Sequence, residues 1–68
     1  MNYVSETLQA LKAVSISELT IGDSLVNLGT VLEINENENS FSLVIERMGQ
    51  RQVWNFSKIE EVVIKSDL

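Results

Sequence analysis

Neither cysteine nor histidine occurs in this 68-residue chain. Without cysteine there is no disulfide staple, no thiolate nucleophile and no cysteine zinc site. Without histidine the commonest general base and transition-metal ligand is gone. Proline is absent as well, and glycine occurs only at Gly22, Gly29 and Gly49. Three isolated glycines make no phosphate-cradling loop. Positive charge is scarce: five Lys and Arg stand against ten Asp and Glu, a formal net charge of −5. Nucleic-acid binders usually show a basic face, because neutralising phosphates supplies most of their affinity. Nucleic acid is therefore disfavoured as a partner, and so is an anionic membrane. No segment approaches the run of about 18 apolar residues that a membrane span needs. The first fourteen residues lack the apolar run behind a basic start that marks a secretory signal. A cytoplasmic location is the expectation, and it leaves the sequon Asn55-Phe56-Ser57 without weight.

The remaining composition is that of a globular protein, with 44% hydrophobic and 22% charged residues. Residues 1–68 read as a single domain. A chain this short buries only about 60% of the surface its unfolded form exposes. It must be held by packing alone or by oligomerising.

Residues 1–14 read as an N-terminal α-helix. Val4, Leu8 and Leu11 fall at helical spacing, Ala10 and Ala13 are good helix formers, and Glu6 early with Lys12 late suits the helix dipole. Ser15 to Asp23 reads as a connecting turn anchored by Leu19 and Ile21. Alternating runs then follow at Ser24–Leu28, Thr30–Glu36, Ser40–Arg47 and Gln50–Phe56. Ser57–Glu61 suits a single helical turn before a last run, Val62–Lys65.

Register tests these turns, because a slip of one residue moves every side chain to the other face. A hairpin centred on Met48-Gly49 sets Glu46 opposite Arg51, Val44 opposite Val53, Leu43 opposite Trp54 and Phe41 opposite Phe56. Like meets like, and the charged pair has opposite signs. A turn centred on Asn37-Glu38 sets Ile34 opposite Phe41, Leu32 opposite Leu43 and Val31 opposite Val44. A turn centred on Leu28-Gly29 sets Leu25 opposite Leu32 and Val26 opposite Val31. One face then carries Leu25, Leu32, Ile34, Phe41, Leu43, Ile45, Trp54 and Phe56 as the core, with Trp54 largely buried. The expected fold is mainly β: the helix, then a five-stranded, strongly bent antiparallel sheet that closes residues 16–65 into a small barrel.

Candidate chemistry is thin. Asn35-Glu36-Asn37-Glu38-Asn39-Ser40 offers alternating oxygens but lacks the early Asp, central Gly and late bidentate Glu of a calcium loop, so it reads as a solvated turn. Glu33 with Glu46, and Glu60 with Glu61, are paired carboxylates without an evident pocket. No nucleophile, base and orienting group can be assembled without His or Cys. The chain is therefore expected not to be an enzyme and to hold no metal and no cofactor, and no small-molecule substrate is evident. Arg47, Arg51 and Lys58 lie near the aromatics Trp54 and Phe56, an arrangement that can stack bases. In the register above those aromatics point to the core and Arg51 points away.

A helix followed by five antiparallel strands resembles the Sm-like fold and, more loosely, the Src-homology-3-like small barrels. Ser40-Phe41-Ser42-Leu43-Val44-Ile45-Glu46 is similar to the third strand of the Sm family. That family carries Asn at the position of Ser42, in its RNA pocket, and Arg-Gly before its last strand. Here the matching stretch is Lys58-Ile59-Glu60-Glu61-Val62-Val63-Ile64. Leu19-Thr20-Ile21-Gly22-Asp23-Ser24-Leu25 resembles the strand entry of Src-homology-3-like barrels. The resemblance implies a small barrel, and the two departures fall on RNA-contacting positions.

The functional expectation is a non-catalytic binding or assembly module whose partner is another protein or a second copy, as a homo-oligomer. An RNA-binding Sm-like protein is the alternative, and a regulatory subunit of a larger enzyme a third reading. The candidate surface is the second face of the sheet, where the register lines up Val26, Val31, Val44 and Val53, with Arg51 beside them. Four apolar side chains in a row belong either under the helix, through Val4, Leu8 and Leu11, or in an interface.

Overall fold

The computed structural model describes residues 10–66. These form six strands: β1 (Ala10–Ser15), β2 (Ser24–Leu25), β3 (Gly29–Glu36), β4 (Ser40–Arg47), β5 (Gln50–Ser57) and β6 (Glu61–Ser66). A 3-10 turn at Ile16–Glu18 joins β1 to the segment before β2. All neighbours pair antiparallel in one sheet of order β1-β6-β2-β3-β4-β5. The sheet curls into a half-barrel and ends at β1 and β5.

The clearest agreement with the sequence lies in the β4–β5 hairpin. Phe41 faces Phe56, Leu43 faces Trp54, Val44 faces Val53 and Glu46 faces Arg51. Its turn is Met48-Gly49, with φ of 54° and 81°. Two positive φ values in a two-residue loop give the type I′ twist that matches the flanking strands. Along β4, buried Phe41, Leu43 and Ile45 alternate with half-buried or exposed neighbours, the signature of a strand covered on one face. With Ile16, Leu19, Leu25, Val31 and Val62 they make the core, against which Val14, Ile34, Phe56 and Ile64 pack.

The expected α-helix is corrected. Residues 1–9 lie outside the described part, so Val4, Leu8 and any helix there are not placed. Residues 10–14 belong to β1, and no α-helix occurs among the described residues. Six strands therefore replace the expected five. The reason lies in β6: β2 is only two residues long and meets it at the single pair Leu25 and Ile64. β2 lies on one side of β6 only, and the other side would be left without backbone partners. Ala10–Ser15 supplies them, pairing from Ala10 with Ser66 to Ser15 with Glu61. Ladder pairing and the packing of Val14 override the helix propensity of Ala10, Leu11 and Ala13. Leu11 is consequently exposed on an outer strand rather than laid across the valines.

Two registers shift. The first turn runs through Val26-Asn27-Leu28, with Asn27 at φ 68°, and sets Leu25 opposite Gly29 instead of Leu32. The second turn sets Ile34 opposite Leu43 and Glu36 opposite Phe41, one residue beyond the expected centre. Val31 nevertheless faces Ile45, because a β-bulge leaves Leu32 unpaired between Val31 and Glu33. A bulge inserts one residue, so it reverses which face the preceding residues occupy. Val31 is thereby carried from the second face into the core, where it is 0% exposed. Ser57 to Glu61 makes a plain turn closed by the Glu60 N–H donating to the Ser57 carbonyl at 3.1 Å, rather than the single helical turn expected there.

Candidate functional site

The valine row is shorter than the sequence suggests. Val31 has left it for the core. Val44 is half-buried and lies opposite Val53, which is 67% exposed. Val26 is half-buried just beyond β2, its N–H donating to the Val63 carbonyl at 3.0 Å. Arg51 is exposed on β5, on the same face as Val53 and across from Glu46. Of the five candidates, β4 and β5 bring Val44, Val53 and Arg51 together.

What the row loses, β5 gains. This strand is exposed at every position except half-buried Phe56. Trp54 is 38% exposed, in contrast to the buried position expected for it. It shares its face with Gln52, whose side-chain oxygen accepts from the indole Nε1 at 3.2 Å. Among the described residues no strand pairs with the outer side of β5.

The hairpin geometry fixes which backbone groups point outward. Arg47 and Gln50 flank the two-residue turn and form the first hydrogen-bonded pair. Antiparallel ladders alternate bonded and non-bonded pairs. Gln50, Gln52, Trp54 and Phe56 therefore turn their N–H and C=O toward β4. Arg51, Val53, Asn55 and Ser57 turn theirs away from it. Ser57 is already engaged: its N–H donates to Glu60 Oε2 at 2.8 Å, and its carbonyl accepts from the Glu60 N–H at 3.1 Å. Arg51, Val53 and Asn55 present the edge, a strip about 14 Å long at the usual rise per residue.

The strip is held firmly from behind. On the Val53 face, Ser42 Oγ donates to Asn55 Oδ1 at 2.6 Å and accepts from Asn37 Nδ2 at 3.2 Å. That polar line ties the tips of β3, β4 and β5 together, and it explains the Asn-rich loop as structural. Arg47 and Lys58 have their partners elsewhere than Trp54 and Phe56. Lys58 pairs with Glu36 at 2.9 Å and sits 5.6 Å from the Phe41 ring centre. Arg47, at the turn end of β4, donates to the Asn27 carbonyl at 2.9 Å. With Lys65, Ser24 and Gly29 it lines a shallow pocket of about 240 Å³. No cluster of metal-ligating side chains forms among the described residues, and none of their helices is long and apolar enough to cross a membrane.

The sequence carried one signal of this edge that went unread. Gln52 falls on the core side between Trp54 and the turn, where a strand covered on that face would carry an apolar residue. Comparison of the chain with protein-family models, with curated proteins and with solved structures gives no match. The fold and the site rest on the chain's own geometry.

Proposed function

We propose that this chain is a non-catalytic protein-interaction module that works by adding a strand to β5. The observation that carries this is the exposed edge at Arg51, Val53 and Asn55, with outward backbone groups and with Trp54 and Val53 exposed on either side. In β-strand addition the backbone ladder supplies affinity, while alternate side chains supply specificity on each face. Exposed Trp and Val beside a ladder provide that second part. The likeness to Sm-like and Src-homology-3-like barrels belongs to this proposal as one of architecture, since Ser42 and the Lys58–Ile64 stretch depart from the RNA-contacting pattern.

RNA binding is the second reading, favoured only by the pocket where Arg47 and Lys65 meet without a lining carboxylate. Two measurements separate the readings. A library of extended peptides displayed against the chain should yield binders that lose affinity when Val53 is changed to Pro. Fluorescence anisotropy with single-stranded RNA and DNA should show no tight, salt-sensitive binding. Tight binding that falls steeply with salt, together with an empty peptide selection, would replace the proposal with the RNA reading.

A further inference from the structure

We infer that the strand added to β5 is the β5 of a second copy, paired antiparallel about a two-fold axis through Val53. The inference rests on the strand-addition reading above and names its partner.

The free groups select the register. Three residues carry outward, unengaged backbone groups: Arg51, Val53 and Asn55. An axis through Val53 pairs Val53 with Val53 of the second copy, Arg51 with Asn55, and Asn55 with Arg51. Every group on the strip then finds a partner, as an isologous interface requires. Moving the axis to Gln52 leaves Asn55 without a partner on the strip. Moving it to Trp54 sets Arg51 against Ser57, whose N–H is already given to Glu60.

Side chains favour the same register. Directly opposed residues lie on the same face. On one face Val53 meets its symmetry mate, so Val44 and Val53 of the two copies become one apolar row of four across the joined sheets. This covers a valine that is 67% exposed in the single chain. On the other face Trp54 lies opposite Gln52, the residue type to which its Nε1 already donates within the chain. Arg51 is the strand's one charge, and it faces Asn55 rather than a second arginine. The two arginines sit about 14 Å apart along the axis of the strands. The net charge of −5 opposes association in general, yet β5 itself carries no carboxylate, so repulsion is weakest at this edge.

Sedimentation equilibrium of the full chain tests the inference. The expected mass rises with concentration to twice the 7.6 kDa of one chain. Val53→Pro removes an N–H that β4 does not use, a change that edge strands tolerate. It should hold the protein at the single-chain mass with a dispersed amide spectrum. Val53→Lys, which faces two ammonium groups across the axis, should do the same and recover association at high salt. Amide exchange at Arg51, Val53 and Asn55 should slow with protein concentration. A chain that stays at single mass at millimolar concentration overturns the inference, and peptide binders found at β5 would then leave the strand-addition reading standing. Two other results also overturn it: a dimer that survives both substitutions, or masses climbing beyond two copies, as head-to-tail pairing of β5 with β1 would give.

Discussion

Gly29 separates two costs that are usually confounded. It opens β3 at φ +125°, and a Cβ built there would collide with the carbonyl oxygen of Glu46 and lie 2.9 Å from its carbon. The colliding atoms are backbone, so no side chain can swing away. Gly22 is the control: its φ is +99°, and a Cβ there meets nothing within 4 Å. Gly22→Ala should cost conformational strain alone, about 1–3 kcal/mol. Gly29→Ala carries a similar strain and adds the collision, which forces the start of β3 away from the end of β4. Overpacking of that kind costs about 1–3 kcal/mol more. The total, about 2–6 kcal/mol, is set against a whole stability of about 3–10 kcal/mol for 68 residues. Urea melts followed by far-UV circular dichroism decide it. With a slope of about 1 kcal/mol/M, the midpoint of Gly29→Ala should fall about 1–3 M below that of Gly22→Ala. Equal midpoints for the two variants would refute the close approach of β3 and β4 at this residue.

Met48 holds φ 54° at 91% exposure, so Met48→Asn should raise the unfolding free energy read from urea melts by about 0.5–1 kcal/mol, because Asn tolerates that conformation and little packing is lost. Val31→Ala should cost about 2–3 kcal/mol in the same melts, as core truncations do, whereas a surface valine would cost about 0.5 kcal/mol or less. Trp54→Ala should cost the single chain about 1–2 kcal/mol, below the usual range for a fully buried tryptophan, and it should weaken self-association in sedimentation. Deleting Leu32 should leave a folded protein with a dispersed amide spectrum, because Val31 and Glu33 already face opposite sides as adjacent residues of a regular strand would. Deleting Ile34 should unfold it, since every residue on one side of the gap would change faces.

What could be read in the sequence was whatever depended on neighbouring residues. The β4–β5 hairpin is local: Gly49 in a two-residue turn, opposite charges at Glu46 and Arg51, and matched apolar pairs beyond them. Its register followed from the turn. β1 did not follow, because Ala10–Ser15 is a strand only by virtue of β6, some fifty residues away in the chain. Its own side chains favour a helix, and nothing nearby contradicts them. Trp54 misled for a related reason. Large aromatic residues are usually well buried, but burial also requires a neighbour beyond the strand, and β5 ends the sheet.

The bulge at Leu32 leaves no mark on the alternation of the strand, yet it acts on the candidate site. Alternation in Thr30–Glu36 allows a regular strand, and a regular strand puts Val31 beside Val26, Val44 and Val53. A one-residue insertion in the pairing leaves the composition of the strand untouched while reversing the face of everything before it. Val31 therefore completes the core against Ile45 and leaves the valine row in two parts, Val26 beside β6 and the pair Val44 and Val53 at the β5 end. A continuous row of four would have supported docking across the sheet face. A pair at the edge supports association along it, since Val53 belongs to the strand whose backbone is open. The same bulge that draws Val31 inward bends β3, and a bent sheet of this size remains a half-barrel with two ends. The proposed interaction surface thus lies on β5, the end of the sheet, rather than in the middle of the second face, where one unpaired leucine in β3 has taken Val31 out of the row.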